Sequence, residues 1–179
     1  MDDGDFKINL TIVGLGLIGG SYAMAFRKMN KGKIWAIDLT ENTLKKAAEM
    51  DIIDEGYSMK NAYIPLKKSD ITIIAIYPEA LIEFVKSNAS NFKKGSIITD
   101  VLGIKENNID KIQNILGSNV EFLGGHPMAG KELSGFQNAD GGIFKNANYI
   151  LTPTSKNKRQ TIDAMKKFVR AIGAKDITE

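Results

Sequence analysis

The 179-residue sequence has no cysteine and only one histidine. Without thiols there are no disulfides and no thiolate metal sites, which fits a reducing compartment. Charge of one sign is scarce as well. Lysine and arginine (24) nearly balance aspartate and glutamate (21), and the resulting formal charge of +3 is too small and too scattered to imply a nucleic-acid partner. No segment reaches the roughly 20 uninterrupted apolar residues that a membrane span needs. The opening Met1-Asp2-Asp3-Gly4-Asp5 is acidic and lacks the basic region and apolar core of a secretion signal. The expectation is therefore a cytoplasmic protein with no membrane, nucleic-acid or metal partner. With 43% hydrophobic and 25% charged residues, the composition is that of a globular chain, and its length suits one domain, 1–179, with a good core.

The organising stretch is LTIVGLGLIGG at 10–20. An apolar, β-rich run of Leu10, Ile12 and Val13 stops at Gly14, Gly16 and Gly19, and a helical pattern of Ala23, Met24, Phe26 and Arg27 follows. This is the G-x-G-x-x-G spacing in its strand-to-helix setting. The first glycine permits a tight turn, the second lets the backbone approach a pyrophosphate, and the third lets helix and strand pack closely. The phosphates then meet the N–H groups that open the helix, at Leu17 and Ile18. A second run, Ile34-Trp35-Ala36-Ile37, ends in Asp38, close to the spacing of about 20 residues expected for an acid that binds a ribose 2′-hydroxyl. An acid there favours NAD over NADP, and Leu39-Thr40-Glu41 offers no arginine for a 2′-phosphate. The plainer alternatives are a glycine-rich turn and an aspartate that ends a strand and caps the next helix.

Downstream, strand and helix alternate. Helices are expected over 41–50, from Tyr77-Pro78-Glu79 to near Asn91, up to Leu116, and over 156–171. Strands are expected at 71–76, 95–100, 120–123, 149–151 and 175–177, with a small strand or turn near Ile52 and Ile53 in an otherwise irregular 51–68. Gly173 is placed to cap the last long helix. This is an α/β pattern, read as a doubly wound, mostly parallel Rossmann-type sheet with helices on both faces. In such a sheet ligands bind at the carboxyl edge, where Tyr77 and Pro78 fall; Tyr77 either lines the crevice or simply packs beside a helix start. A short strand at 120–123 also delivers Gly124-Gly125-His126-Pro127 to that edge, followed by a loop of small and polar residues. A lone histidine is commonly structural, but its position after a strand end suits catalysis.

GLGLIGGS at 14–21, TDVLGIK at 99–105 and GGHPMAGKELSGF at 124–136 together resemble the nucleotide-binding domain of the prephenate dehydrogenase family, over about 10–173. The resemblance implies an NAD-dependent oxidative decarboxylation in tyrosine biosynthesis. Prephenate gives a hydride to NAD, its ring carboxylate leaves as carbon dioxide, and 4-hydroxyphenylpyruvate forms. By the same resemblance His126 bonds the ring hydroxyl as general base or polariser. Gly14, Gly16, Leu17, Ile18, Gly19, Asp38, Tyr77, Pro78 and Asp100 bind the cofactor, and Gly103, His126, Lys131 and Glu132 border the substrate. Gly103 stands where the family often has a serine. Lys105 either sits near the pocket or caps its helix, and Lys131, Glu132 and Ser134 suit either substrate carboxylates or solvent.

Members of the family continue into a helical domain that dimerises and supplies an arginine for the substrate, so the chain is expected to be one part of a longer homodimeric enzyme and weakly active alone. The alternatives are arogenate dehydrogenase, the β-hydroxyacid dehydrogenases, which rely on a lysine in a later helix, and a non-catalytic NAD-sensing module, which has no use for a histidine-bearing loop.

Overall fold

The computed structural model describes residues 7–105 and 108–179. The acidic stretch at 1–5 lies outside the described residues. Six short strands, β1 (Leu10–Val13), β2 (Ile34–Ile37), β3 (Glu55–Tyr57), β4 (Ile71–Ile74), β5 (Ile97–Asp100) and β6 (Glu121–Phe122), form one sheet. Their order is β3-β2-β1-β4-β5-β6 and every pairing is parallel. The helices are α1 (Leu17–Met29), α2 (Glu41–Glu49), α3 (Tyr63–Leu66), α4 (Pro78–Asn88), α5 (Asn108–Leu116) and α6 (Arg159–Ala171).

Alternate residues of each strand point to opposite faces, so the apolar runs feed two cores. Leu10, Ile12, Ile34, Ala36, Ile71 and Ile73 meet Tyr22 and Phe26 of α1, Leu44 of α2 and Met165 and Phe168 of α6. Val13, Ile37, Ile74 and Ile98 meet Leu66 of α3, Phe84 and Val85 of α4 and Ile112 and Leu116 of α5. Helices thus cover both faces, as the sequence pattern predicts. Strand order reverses between β1 and β4, and the carboxyl ends of these two strands open the crevice in which an α/β sheet holds its ligand.

Of the small strand or turn expected near Ile52 and Ile53, the turn forms, with both isoleucines buried in it, because the core takes apolar side chains whatever their backbone; the strand follows at Glu55–Tyr57, inside the stretch expected to be irregular. Two further expectations need correction. Part of the irregular 51–68 is helical, as α3. Most consequential, Gly124–Pro127, expected as the end that the 120–123 strand delivers, is a strand of its own, β7. It pairs antiparallel with β8 (Tyr149–Thr152), and β8 pairs parallel with β9 (Ile177–Thr178), making a separate three-stranded sheet. Glycine and proline are poor strand formers, but β7 is an edge strand, where proline is tolerated. At Gly173, φ is +118°, and the N–H groups of Gly173 and Ala174 bond Arg170 and Val169, the paired bonds of a Schellman C-cap.

Candidate active site

The first half of the site is the turn from β1 into α1. Gly14 has φ +89°, and a Cβ there would lie 2.5 Å from the carbonyl oxygen of Ala75, just past β4. A Cβ on Gly19 would lie 1.9 Å from the carbonyl oxygen of Gly14. Both positions exclude any side chain. At Gly16 a Cβ would meet nothing within 4 Å, so the second glycine faces open space, which is the cradle a pyrophosphate needs. Gly16 is also the N-cap of α1, with no side-chain cap and no acid in the first turn, so the N–H groups that begin at Leu17 and Ile18 are directed to this space.

Asp38 follows β2 and is only partly exposed. One carboxylate oxygen accepts the N–H of Leu15 at 2.7 Å and the other accepts the N–H of Thr40 at 2.8 Å. The acid therefore ties the glycine turn to the end of β2 while standing at the crevice edge. Beside it lies a groove of about 580 Å³ lined by Leu39, Met59, Ile76, Ala80 and Phe84. Its apolar walls between the ends of β2 and β4 suit a flat heteroaromatic ring. Pro78 opens α4 at N1, and Tyr77 is its N-cap. The Tyr77 side chain is 79% exposed, so it does not serve as packing beside the helix.

The second half centres on His126 in β7. Gly103, in the loop leaving β5, comes so close that a Cβ there would stand 3.1 Å from Cε1 and 3.3 Å from Nε2 of the imidazole. Nδ1 of His126 is buried without a hydrogen-bond partner among the described residues. An unsatisfied buried polar atom is uncommon, and a functional site is one place where it is tolerated. Among the described residues no carboxylate bonds the ring, and Asp100 is engaged elsewhere. Both of its oxygens accept from Lys105 Nζ at 2.7 Å, and Oδ1 also accepts the N–H of Gly125 at 3.0 Å. Asp100, expected at the cofactor, is instead buried and committed within the protein, since a carboxylate at the end of a central strand needs such partners. Burial pushes the Lys105 pKa down, against the opposing pull of Asp100.

Behind β7, Tyr149 and Tyr22 share a buried hydroxyl–hydroxyl hydrogen bond of 2.8 Å. Desolvation is the first cause that raises both phenols, Tyr22 well above its ordinary value. A Cβ on Gly125 would lie 2.6 Å from Thr99 Oγ1 and 2.7 Å from the Tyr149 hydroxyl. Sequence reasoning missed this cluster of Thr99, Gly125, Tyr22 and Tyr149. The doubled glycine before His126 is the signal that points to it.

The structure does not gather Lys131 and Glu132 around His126. Lys131 pairs with Asp140 at 3.1 Å and lines a cavity of about 700 Å³ against Met24, Arg27 and Lys28 of α1. Glu132 and Ser134 are exposed on the same loop, which is held to α1 by the N–H of Asp140 donating to Ser21 Oγ at 2.9 Å. A substrate role for this loop has no support in its present contacts. Among the described residues no group of three or more histidine, aspartate or glutamate side chains is placed to hold a metal ion, and no helix is long and apolar enough to cross a membrane.

Residues 22–178 match the family described as prephenate dehydrogenase, nucleotide-binding domain. The chain belongs to the prephenate dehydrogenase family. It is 34% identical over 171 residues to a prephenate dehydrogenase of Bacillus subtilis, which covers 94% of this chain and 45% of that protein. The crystal structure of Aquifex aeolicus prephenate dehydrogenase in complex with hydroxyphenyl propionate and NAD+ superposes with a TM-score of 0.87 at 29% identity, over 96% of this chain and 60% of that one. Synechocystis arogenate dehydrogenase gives a TM-score of 0.86 at 25% identity, over 95% and 58%. The chain thus spans about half the length of these prephenate and arogenate dehydrogenases, and the half it spans is the nucleotide-binding domain.

Proposed function

We propose that this chain is the NAD-binding half of an enzyme that oxidatively decarboxylates prephenate to 4-hydroxyphenylpyruvate, with His126 as the group that handles the ring hydroxyl. The observation that carries this reading is the placement of the only imidazole. It lies in β7, next to Gly125, whose N–H bonds Asp100 at the carboxyl end of β5, and against Gly103, with Nδ1 buried and unpaired among the described residues.

NAD, when bound, supplies the hydride acceptor. The chain's own residues do the rest of what this half can do. The N–H groups at Leu17 and Ile18 and the open face of Gly16 hold a pyrophosphate. Asp38 takes a ribose hydroxyl and disfavours a 2′-phosphate. His126 accepts a hydrogen bond from the ring hydroxyl and pulls its proton toward the imidazole as the hydride leaves the same carbon. The carbon–carbon bond to the ring carboxylate breaks, its electron pair completes the aromatic ring, carbon dioxide departs, and the proton stays with the phenol product.

Arogenate is the alternative substrate, favoured by the likeness to the Synechocystis enzyme. It differs from prephenate only in its side chain, away from the group His126 addresses. A homodimer, a cytoplasmic location and low turnover by this chain alone belong to the same proposal. Calorimetric titration of this chain with NAD and then NADP is the first test. Submillimolar or tighter binding of NAD with much weaker NADP is the expected result. Equal affinity for the two would remove the role given to Asp38, and no binding of either would remove the role given to the glycine turn.

A further inference from the structure

Gly125, the residue before His126, is gripped on both edges of its backbone. Its N–H donates to Asp100 Oδ1 at 3.0 Å, and its carbonyl oxygen accepts from Lys105 Nζ at 2.7 Å. The same ammonium donates to both oxygens of Asp100, so the lysine's three donors have three acceptors and none is left for a ligand. The pair is nearly closed to water, with side-chain exposures of 14% for Lys105 and 3% for Asp100.

A buried ion pair is a poor device for stability, because desolvation offsets the attraction and an apolar pair of similar volume would serve as well. Its use here is geometric. Gly125 has no side chain by which it can be fixed, and Thr99 and Tyr149 leave no room for one. The loop that runs from Asp100 to Lys105 also carries Gly103, whose backbone forms the wall beside the imidazole. The two charged ends of this loop therefore hold the strand under His126, while its middle closes against the ring.

We infer that Lys105, with Asp100, is a positioning residue that sets the place of the His126 imidazole through the Gly125 peptide, and does not touch substrate. The inference rests on the reading of His126 given above. Its test does not depend on turnover. Because His126 is the only histidine, the ring signals of an untagged preparation of this chain belong to one residue.

Imidazole NMR would be recorded for the wild type, K105M, K105R and the double variant D100N/K105M, which leaves no unpaired buried charge. K105M and D100N/K105M are expected to keep NAD affinity while the His126 ring signals shift and broaden. K105R, which can still bridge Asp100 and the Gly125 carbonyl, should recover them in part. In the longer protein kcat should fall roughly 10²-fold, as expected for a misplaced reacting group, with KM for NAD unchanged. Wild-type ring signals in folded D100N/K105M would overturn the inference. So would failure of both methionine variants to fold, which would make the pair a folding element only. An H126N enzyme as active as the wild type would instead sink the reading of His126, and the ring spectra would still decide whether Lys105 positions it.

Discussion

At the scale of single residues, the three glycines of the turn separate fold from ligand. Gly16 has φ −80° and open space where a Cβ would go, so G16A should fold, with stability changed by no more than about 1 kcal/mol. Its new methyl would fill the open space proposed for the pyrophosphate, and NAD binding should weaken severely. Gly19 is the opposite case. The atom in the way is the backbone oxygen of Gly14, which has no rotamer to give, and G19A should destabilise by about 2 kcal/mol or more. Thermal melts beside NAD titrations tell the two apart; a G19A protein as stable as the wild type would contradict the packing described. At His126, H126N in a longer form of the protein should lower kcat by roughly 10²–10⁴-fold with little change in NAD affinity if, as proposed, the residue addresses the ring hydroxyl and not the dinucleotide. A large loss of NAD affinity instead would mean that the ring serves the cofactor.

Between elements, Asp54 is the joint. It lies just before β3, and its carboxylate takes Arg27 of α1 at 2.8 Å, Lys33 at 2.7 Å and the N–H of Ile34 at the start of β2 at 2.9 Å. Burial works against ionisation, but the hydrogen bonds from Lys33, Ile34 and Arg27 outweigh it and hold the Asp54 pKa below its ordinary 3.8. The sign of the linkage follows. A lowered folded pKa gives stability that is complete above about pH 3.8 and is lost as pH falls through the lower folded value. Denaturant unfolding of the wild type and D54N should therefore show a stability gap at neutral pH that narrows as pH falls below 3.8; a gap that does not change with pH would mean that the charge is irrelevant. The Asp100–Lys105 pair joins β5 to β7 in the same manner but out of solvent. Removing only the lysine, in K105M, strands a buried carboxylate and should lower stability at neutral pH by about 3–5 kcal/mol. A domain of this size has about 5–15 kcal/mol to lose, so the loss is a large share of it, and a thermal melt of K105M reads it directly.

For the whole molecule, two cores on opposite faces of one parallel sheet make a dinucleotide-binding body that spans 45% of its Bacillus relative. That proportion leads to the expectation that the chain binds NAD without appreciable turnover of prephenate, which an assay of NADH formation on this chain and on a longer form would check. Equal activity of the two would show that this half holds a complete substrate site. The alternation of strand and helix, the two-faced sheet, the glycine turn with Asp38 and the family itself were legible in the sequence, since each is written in residues close together along the chain: β-branched runs, helical periods, fixed glycine offsets. Pairing across long separations was not. Gly-Gly-His-Pro has the composition of a turn and becomes β7 only because β8, far along the chain, lies beside it. Asp100 reads as a cofactor residue and Lys105 as either a pocket residue or a helix cap, until the fold brings Gly125 between them. Lys131 reads as a partner for carboxylates, and the tertiary structure gives it Asp140 and the flank of α1. The sequence by itself determined the main alternation of strands and helices and the glycine turn, because propensity, periodicity and turn geometry act locally. Only the tertiary structure decided which groups meet around the single imidazole, because burial and hydrogen bonding are satisfied among residues that the chain keeps far apart.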